Sequence, residues 1–353
     1  MTSLAQKRAQ KLRHGVNLSH WYGQVYMAPG YCPEHYDNYM RQRDLEIIAS
    51  LGFDHVRFPL ALEQMMANAP ASPVRDGFVD RVEREIERLH ALGLSVIVDL
   101  HPEDPYKREL ASRQDAVDSF VAFWAALATR WSHLDPDCTF FEVLNEPGIG
   151  DASRWIRIQN AAVQAIRSAT ATHTVVVCGD QYSQLPELLK LEAPPDDNLI
   201  YNFHLYDPAA LTHQGAYWGN SWLQGTKGLV YPPEDANIDE LKAATSDPKA
   251  LAELVSYAQT DWGADVYGRL LDGGVAWAAS HGVPLICNEF GIYRKYVPRT
   301  SRLRWLRDIT SAFSARQIGW TIWDYAGDFG VVVGEPGLRE PDLDVISALG
   351  LVR

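Results

Sequence analysis

Short runs that are apolar on both faces recur along the whole chain, each separated from the next by a helix-period pattern. The run at 95–101, S-V-I-V-D-L-H, places Val96, Ile97 and Val98 in succession with no polar alternation until its end. A strand of that composition has no face to give to water, so it belongs in a sheet covered on both sides. Comparable runs lie at 14–19, 55–60, 139–146, 174–179, 199–206, 284–290 and 319–325. Amphipathic stretches fall between and after them, at 38–51, 78–92, 115–130, 153–171, 185–191, 264–280, 301–316 and 342–349. Leu45, Ile48 and Leu51 in the first, and Val82, Ile86 and Leu89 in the second, mark the buried stripes, with Gly52 and Gly93 as stops.

Strands alternating with helices in this way predict an α/β fold built on a parallel sheet. A closed (β/α)8 TIM barrel is the solution that leaves no sheet edge. An open doubly wound sheet is the alternative, but the Gly-x-Gly-x-x-Gly turn of a dinucleotide-binding first unit is absent. No linker, repeat or low-complexity tract divides the 353 residues. The chain therefore reads as one barrel domain, 1–353, with an insertion at 207–263 after the sixth strand. That insertion far exceeds the usual connection of about 2–6 residues, which marks it as a functional loop region.

A net charge of −13 argues against nucleic acid or an anionic membrane as partner, since both want a basic face. Cys32, Cys138, Cys178 and Cys287 have no C-x-x-C spacing, so no zinc site is expected, and Cys178 and Cys287 read as inert core thiols. Lys7, Arg8, Lys11 and Arg13 are followed by no apolar stretch of signal or membrane length. As written the chain reads as cytoplasmic, or as secreted if a signal has been trimmed.

In a barrel the carboxyl ends of the strands meet at one mouth, where active sites lie. Six of the eight runs carry polar or titratable groups there: Arg57 in V-R-F-P, Asp99 and His101 in D-L-H-P, and Asn145-Glu146-Pro147. The others are Asn202, His204 and Tyr206 in N-F-H-L-Y, Asn288-Glu289 in N-E-F-G, and Trp323-Asp324 at the end of W-T-I-W-D. Pro147 lacks an N–H and cannot extend the ladder, so the fourth strand is expected to stop at Glu146. Either glutamate alone is also what a strand-end salt bridge uses. Glu146 and Glu289 together, each after an Asn and three strands apart, are the carboxylate pair that glycosidic cleavage needs, one protonated and one ionised.

With those residues the chain resembles glycoside hydrolase family 5, the cellulase family of retaining (β/α)8 glycosidases, from Gly15-Val16-Asn17 to Trp323. Asn145-Glu146-Pro147 meets the family's Asn-Glu-Pro signature; Thr139 and Gly148 depart from its usual flanks, and Gly148 bears on loop shape. The resemblance implies Glu146 as acid/base and Glu289 as nucleophile, with Arg57 near the nucleophile and Asn145 on the sugar 2-hydroxyl. It further implies His101 and His204 lining the −1 subsite, Tyr206 bonded to the nucleophile, and Trp323 as platform under the −1 sugar. It implies no cofactor and no metal, and makes Trp323–Asp324 a candidate cis peptide. Retention sets the carboxyl groups about 5–5.5 Å apart.

The implied substrate is a neutral β-linked oligo- or polysaccharide, cellulose-type β-1,4-glucan first, with endo action. β-Mannan, xyloglucan, β-1,3-glucan and small glucosides cut by exo action remain open, as does transglycosylation on the same residues. A non-catalytic sugar-binding barrel would be expected to have lost one of the two glutamates. Tyr22, Tyr26, Tyr31, Trp218, Trp222 and Trp262 are candidates for stacking on sugars. Asp207-Pro208 and Thr212-His213-Gln214 open the insertion and could wall off one side of the mouth. Oligomeric state is not legible.

Overall fold

The apolar runs pair edge to edge in chain order until the last meets the first. The structure, a computed structural model, describes residues 2–69, 72–192 and 196–351. Its barrel strands are β1 (His14–Asn17), β2 (His55–Leu60), β3 (Ser95–Leu100), β4 (Thr139–Glu142), β5 (Thr174–Cys178), β6 (Leu199–Leu205), β7 (Leu285–Phe290) and β8 (Gly319–Ile322). All pairings are parallel, and β1 closes the ring by bonding both β2 and β8. This is the (β/α)8 barrel, and the open sheet is excluded. Every residue of β2, β3, β5, β6 and β7 is buried, as two-sided apolar strands require.

The covering helices are α1 (Gln42–Ser50), α2 (Asp76–Ala91), α3 (Gln114–Arg130), α4 (Ala152–Ala169), α5 (Leu185–Leu188), α6 (Ala264–His281), α7 (Arg299–Ala315) and α8 (Leu343–Ala348). α2 shows the rule: Val79, Val82, Ile86 and Leu89 are its buried positions, spaced three and four apart. Inside the ring, Gly15 of β1 leaves room for the His55 ring, which an added Cβ would meet at 2.1 Å.

Three features differ from the sequence reading. The single helix expected at 38–51 is two, Pro33–Tyr39 and Gln42–Ser50, with Met40 extended between them. Trp21 Nε1 donates to the Tyr36 carbonyl (2.8 Å) and Arg339 Nη1 to that of Tyr39 (2.7 Å), so carbonyls that would have continued the helix are taken. Asp44 then caps the second helix by accepting from Arg41 N at 2.9 Å. Second, β4 ends at Glu142 rather than Glu146. Val143 N and Asn145 N still reach Val176 O (3.1 Å) and Leu100 O (2.8 Å), which ties the segment to both neighbours.

Third, a short helix, Leu4–Ala9, plugs the amino end of the barrel: Ala5, Ala9 and Leu12 cluster with Ile97, Phe140, Val176, Ile200 and Ile286. The insertion, meanwhile, is no bare loop. It folds into helices Ile238–Ala244 and Pro248–Gln259, and Tyr231, Leu254 and Tyr257 join the main core. Among the described residues no helix is long and apolar enough to cross a membrane.

Candidate active site

Every group at the mouth is arranged around one buried cation, Arg57. Its guanidinium is fully buried on β2, where a charge is tolerated only if paired. Nε and Nη2 fork onto Glu142 (2.8 and 2.9 Å). Nη2 also lies 3.0 Å from Asp99 Oδ2 and donates to Asn145 Oδ1 at 2.8 Å. Nη1 donates to Asn17 Oδ1 (3.0 Å) and to Glu289 Oε1 (2.6 Å). Three carboxylates thus share one fixed cation, which they hold well above its ordinary pKa despite the burial. Burial in turn pushes Asp99 up to about 6, and Glu142 upward too, against the pull of Arg57.

From this hub the partners of each side chain follow. His101 Nδ1 bonds Asp99 Oδ2 (2.8 Å), an acceptor, so Nδ1 carries the proton. Nε2 is then bare and accepts from Asn145 Nδ2 at 3.0 Å. The amide is thereby oriented from both ends, oxygen to Arg57 and nitrogen to His101. Burial lowers His101 to about 3 and His204 to about 4, so both rings are neutral.

The two glutamates occupy unlike settings. Glu289, on β7, receives Arg57 at Oε1 and the Tyr206 hydroxyl at Oε2 (3.0 Å). Glu146 has a left-handed backbone, φ +44°, in the loop that Pro147 and Gly148 (φ +59°) turn away from the barrel. A non-glycine residue in that region is strained, and such strain gathers at functional positions. Its Oε1 is hydrogen-bonded to His204 Nδ1 at 2.9 Å. Burial raises its pKa, with Lys107 the foremost opposing charge. His204 Nδ1 is also 3.6 Å from Glu289 Oε2. An oxygen of Glu146, one of Glu289 and a ring nitrogen of His204 all lie within 4.8 Å of one another. Carboxyl oxygens that approach this closely fit the about 5–5.5 Å class of carboxyl pairs.

A cavity of about 560 Å³ opens over this pair. Of the eight residues singled out by sequence, His101, Asn145, Glu146, Tyr206, Glu289 and Trp323 line it. Arg57 and His204 lie behind the wall, touching Glu289 and Glu146. The Trp323 indole stacks on His101, ring centroids 5.9 Å apart, and its bond to Asp324 is cis. A wider depression of about 780 Å³ lies at the amino ends of the strands, lined in part by Gln164, Arg167 and His281. Its Arg167 is neutralised by Asp196 at 2.7 Å, and no catalytic constellation stands there among the described residues.

The aromatic candidates divide. Tyr26 and Trp218 line the cavity. Tyr22 is fully buried and stacks on Tyr36 at 4.6 Å. Tyr31 anchors its loop by accepting from Val25 N (3.2 Å), while Trp222 and Trp262 pack against the core. The cavity also has walls that sequence reasoning missed: Lys107, Tyr217, Asp328 and Phe329. Sequence reasoning also missed Glu142 beneath it, although it announces itself as a charge inside an apolar strand.

His213, at the start of the insertion, lines the cavity as well. Thr212 Oγ1 donates to the Tyr206 carbonyl and so accepts from His213 Nδ1 (3.0 Å). Burial holds the ring at about 4, leaving Nε2 as a neutral acceptor for a hydroxyl.

A family model described as cellulase (glycosyl hydrolase family 5) matches residues 22–328. Among curated proteins, endoglucanase C of Acetivibrio thermocellus is 27% identical over 317 residues, 88% of this chain and 90% of that one. Cellodextrinase A of Ruminococcus flavefaciens is 26% identical, with 86% and 82% covered. Endoglucanase Cel5A of Thermotoga maritima superposes with a TM-score of 0.80 at 23% identity, over 97% of this chain and 98% of that one.

Proposed function

Because the chain belongs to the cellulase family, glycosyl hydrolase family 5, we propose that it is a retaining endo-β-1,4-glucanase in which Glu289 is the nucleophile and Glu146 the acid/base. The observation that carries this is the close approach of the two glutamates, within 4.8 Å through their nearest oxygens, in opposite electrostatic settings. Arg57 and Tyr206 both donate to Glu289, whereas burial favours a protonated Glu146.

In the first step a carboxylate oxygen of Glu289 attacks the anomeric carbon as the bond to the leaving sugar breaks. Glu146 gives its proton to the departing oxygen. In the second step Glu146, now ionised, takes a proton from water, which displaces Glu289 and restores the anomeric configuration. Asn145, oriented by Arg57 and His101, offers its amide to the 2-hydroxyl, and Trp323 lies beneath the −1 ring. His213 Nε2 accepts from a further hydroxyl. The sequence places no cofactor in this reaction, and the whole of 1–353, insertion included, is read as one domain.

β-1,4-Glucan is the substrate supported by the relatives, an endoglucanase and a cellodextrinase. The test is a panel of cellulose, mixed-linkage β-glucan, mannan and xyloglucan, with product length followed against time. Mixed oligomers appearing early from β-1,4-glucan are expected. Monosaccharide alone would reject endo action, and cleavage confined to mannan would reject the substrate.

A further inference from the structure

The loop after β1 sets a strained histidine in the cavity wall. His20 takes a left-handed backbone, φ +62°, and lines the same cavity as Trp323. Strain of this kind persists where function uses it. The residue is fixed from two sides: its carbonyl accepts from His35 Nε2 (2.8 Å), and its ring Nδ1 bonds the Gln24 carbonyl (2.8 Å). A carbonyl only accepts, so Nδ1 carries a proton. Asp324 Oδ2 stands 3.8 Å from Nε2, beyond hydrogen-bond reach, and already accepts from Ser19 Oγ and from Gly327 N (3.1 Å). Among the described residues no hydrogen bond engages His20 Nε2. The side chain is 24% exposed, and Nε2 is the one polar atom it has left to offer.

Two distances place His20 on the Trp323 side of the mouth. Asp324, 3.8 Å from Nε2, directly follows Trp323 in the chain. A Cβ added to Gly327, in the loop after β8, would meet His20 Nε2 at 3.0 Å. The ring order agrees: β1 pairs with β8, whereas β4, which leads to Glu146, lies four strands from β8 in either direction. The sugar over Trp323 is the one that becomes bonded to Glu289, and the leaving group departs past Glu146. Groups on the Trp323 side therefore meet the sugars that stay. We propose that His20 is a substrate-binding residue of the glycone side, its Nε2 hydrogen-bonded to a hydroxyl of the sugars that stay on Glu289.

A hydroxyl is the partner that fits. It donates to a bare Nε2 and accepts from a protonated one, so the contact survives either state of the ring. Glu103, Asp104 and Asp328 line the same cavity and would repel a carboxylate or phosphate. The inference rests on the glucanase reading above.

The test measures kcat/KM for cellotetraose cut at its central bond and for 2,4-dinitrophenyl β-cellobioside. The two share the cellobiosyl unit that stays and differ in what departs. Active sites are counted by the dinitrophenolate burst from the 2-deoxy-2-fluoro cellobioside, so misfolded protein does not enter the rates. His20→Asn tolerates the left-handed backbone and can keep the bond to Gln24, but it has nothing at the place of Nε2. It is expected to lose about 3–10-fold on both substrates, the range of a neutral hydrogen bond. His20→Gln, whose amide reaches the place of Nε2, should lose less than Asn. A role confined to holding the loop predicts the reverse order, Asn near wild type and Gln impaired, and that result overturns the proposal. A loss confined to cellotetraose also overturns it, because His20 would then meet the departing sugar. A wild-type enzyme that cleaves neither substrate overturns the glucanase reading itself.

Discussion

His204 Nδ1 and Oε1 of Glu146 share a hydrogen bond of 2.9 Å. The ring is neutral, since burial holds it at about 4, so the bond carries one proton and no formal charge. It orients the Glu146 carboxyl without supplying a cation that would strip its proton. Glu289 is treated the opposite way, by the Arg57 guanidinium at 2.6 Å. Two carboxyls close enough to repel thus touch unlike partners, a cation for one and a neutral ring for the other.

The pH profile of kcat/KM should report this division. Glu146 must be protonated in the first step, so activity falls as pH rises through its pKa. Burial raises that value, which places the alkaline limb above the ordinary glutamate range of about 4.3. Glu146→Ala, assayed on a dinitrophenyl cellobioside that needs no proton on its leaving group, should lose that limb. A limb that persists in the variant would assign it to another residue.

The two glutamates should also separate by chemical rescue. Glu289→Ala removes the nucleophile and is expected to lose activity by at least about 10⁴-fold, with azide restoring turnover as a glycosyl azide of inverted configuration. Glu146→Ala should lose about 10²–10⁴-fold on cello-oligosaccharides, and azide should intercept its glycosyl-enzyme to give the retained product. NMR of the anomeric proton distinguishes the two. The same azide anomer from both variants would contradict the assignments.

Much of this site was legible because a barrel strand has no reason to carry charge. Arg57, Glu146 and Glu289 stand out for that reason, and ring closure brings them together. Asp99 sends the same signal at its strand end, and Glu142 sends it from a position that reads as strand interior and not as mouth. Their part appears only when Arg57 is seen to reach both. The break at Met40 depends on Trp21 and Arg339, the latter far away in sequence, so no local pattern contains it. Tyr22 and Tyr26 look alike in sequence, yet one is core and the other 71% exposed. Which ring faces the sugar is decided by tertiary packing.

Arg57 should matter to stability as well as to catalysis. Removing it leaves Glu142 and Asp99, both fully buried, without the cation that offsets their desolvation. Breaking a buried pair from one side costs about 3–5 kcal/mol, so Arg57→Met should lose that much in urea unfolding along with its activity. Arg57→Lys should fare little better, because an ammonium cannot span Glu142, Asn145 and Glu289 at once. A lysine variant within about 1 kcal/mol of wild type, the spread of ordinary substitutions, would show that the fork geometry is dispensable.

The aromatic residues of the insertion should split into two classes. Tyr217 and Trp218 are 77% and 48% exposed at the cavity and meet edge to face at 5.1 Å. Trp222 packs against the core, and Trp262 lies 5.5 Å from the buried Tyr267 ring. Stacking of one ring is worth about 0.5–1.5 kcal/mol beyond its buried area, which corresponds to a few-fold to about tenfold in binding. Tyr217→Ala and Trp218→Ala should therefore raise KM for longer cello-oligosaccharides by that factor with Tm nearly unchanged. Trp222→Ala and Trp262→Ala should lower Tm by several degrees, since truncating a packed Trp costs about 3–5 kcal/mol when fully buried and less in proportion to its exposure. Thermal unfolding and KM measured on all four variants decide the matter. A lowered Tm for Trp218→Ala with KM intact would return that ring to the scaffold.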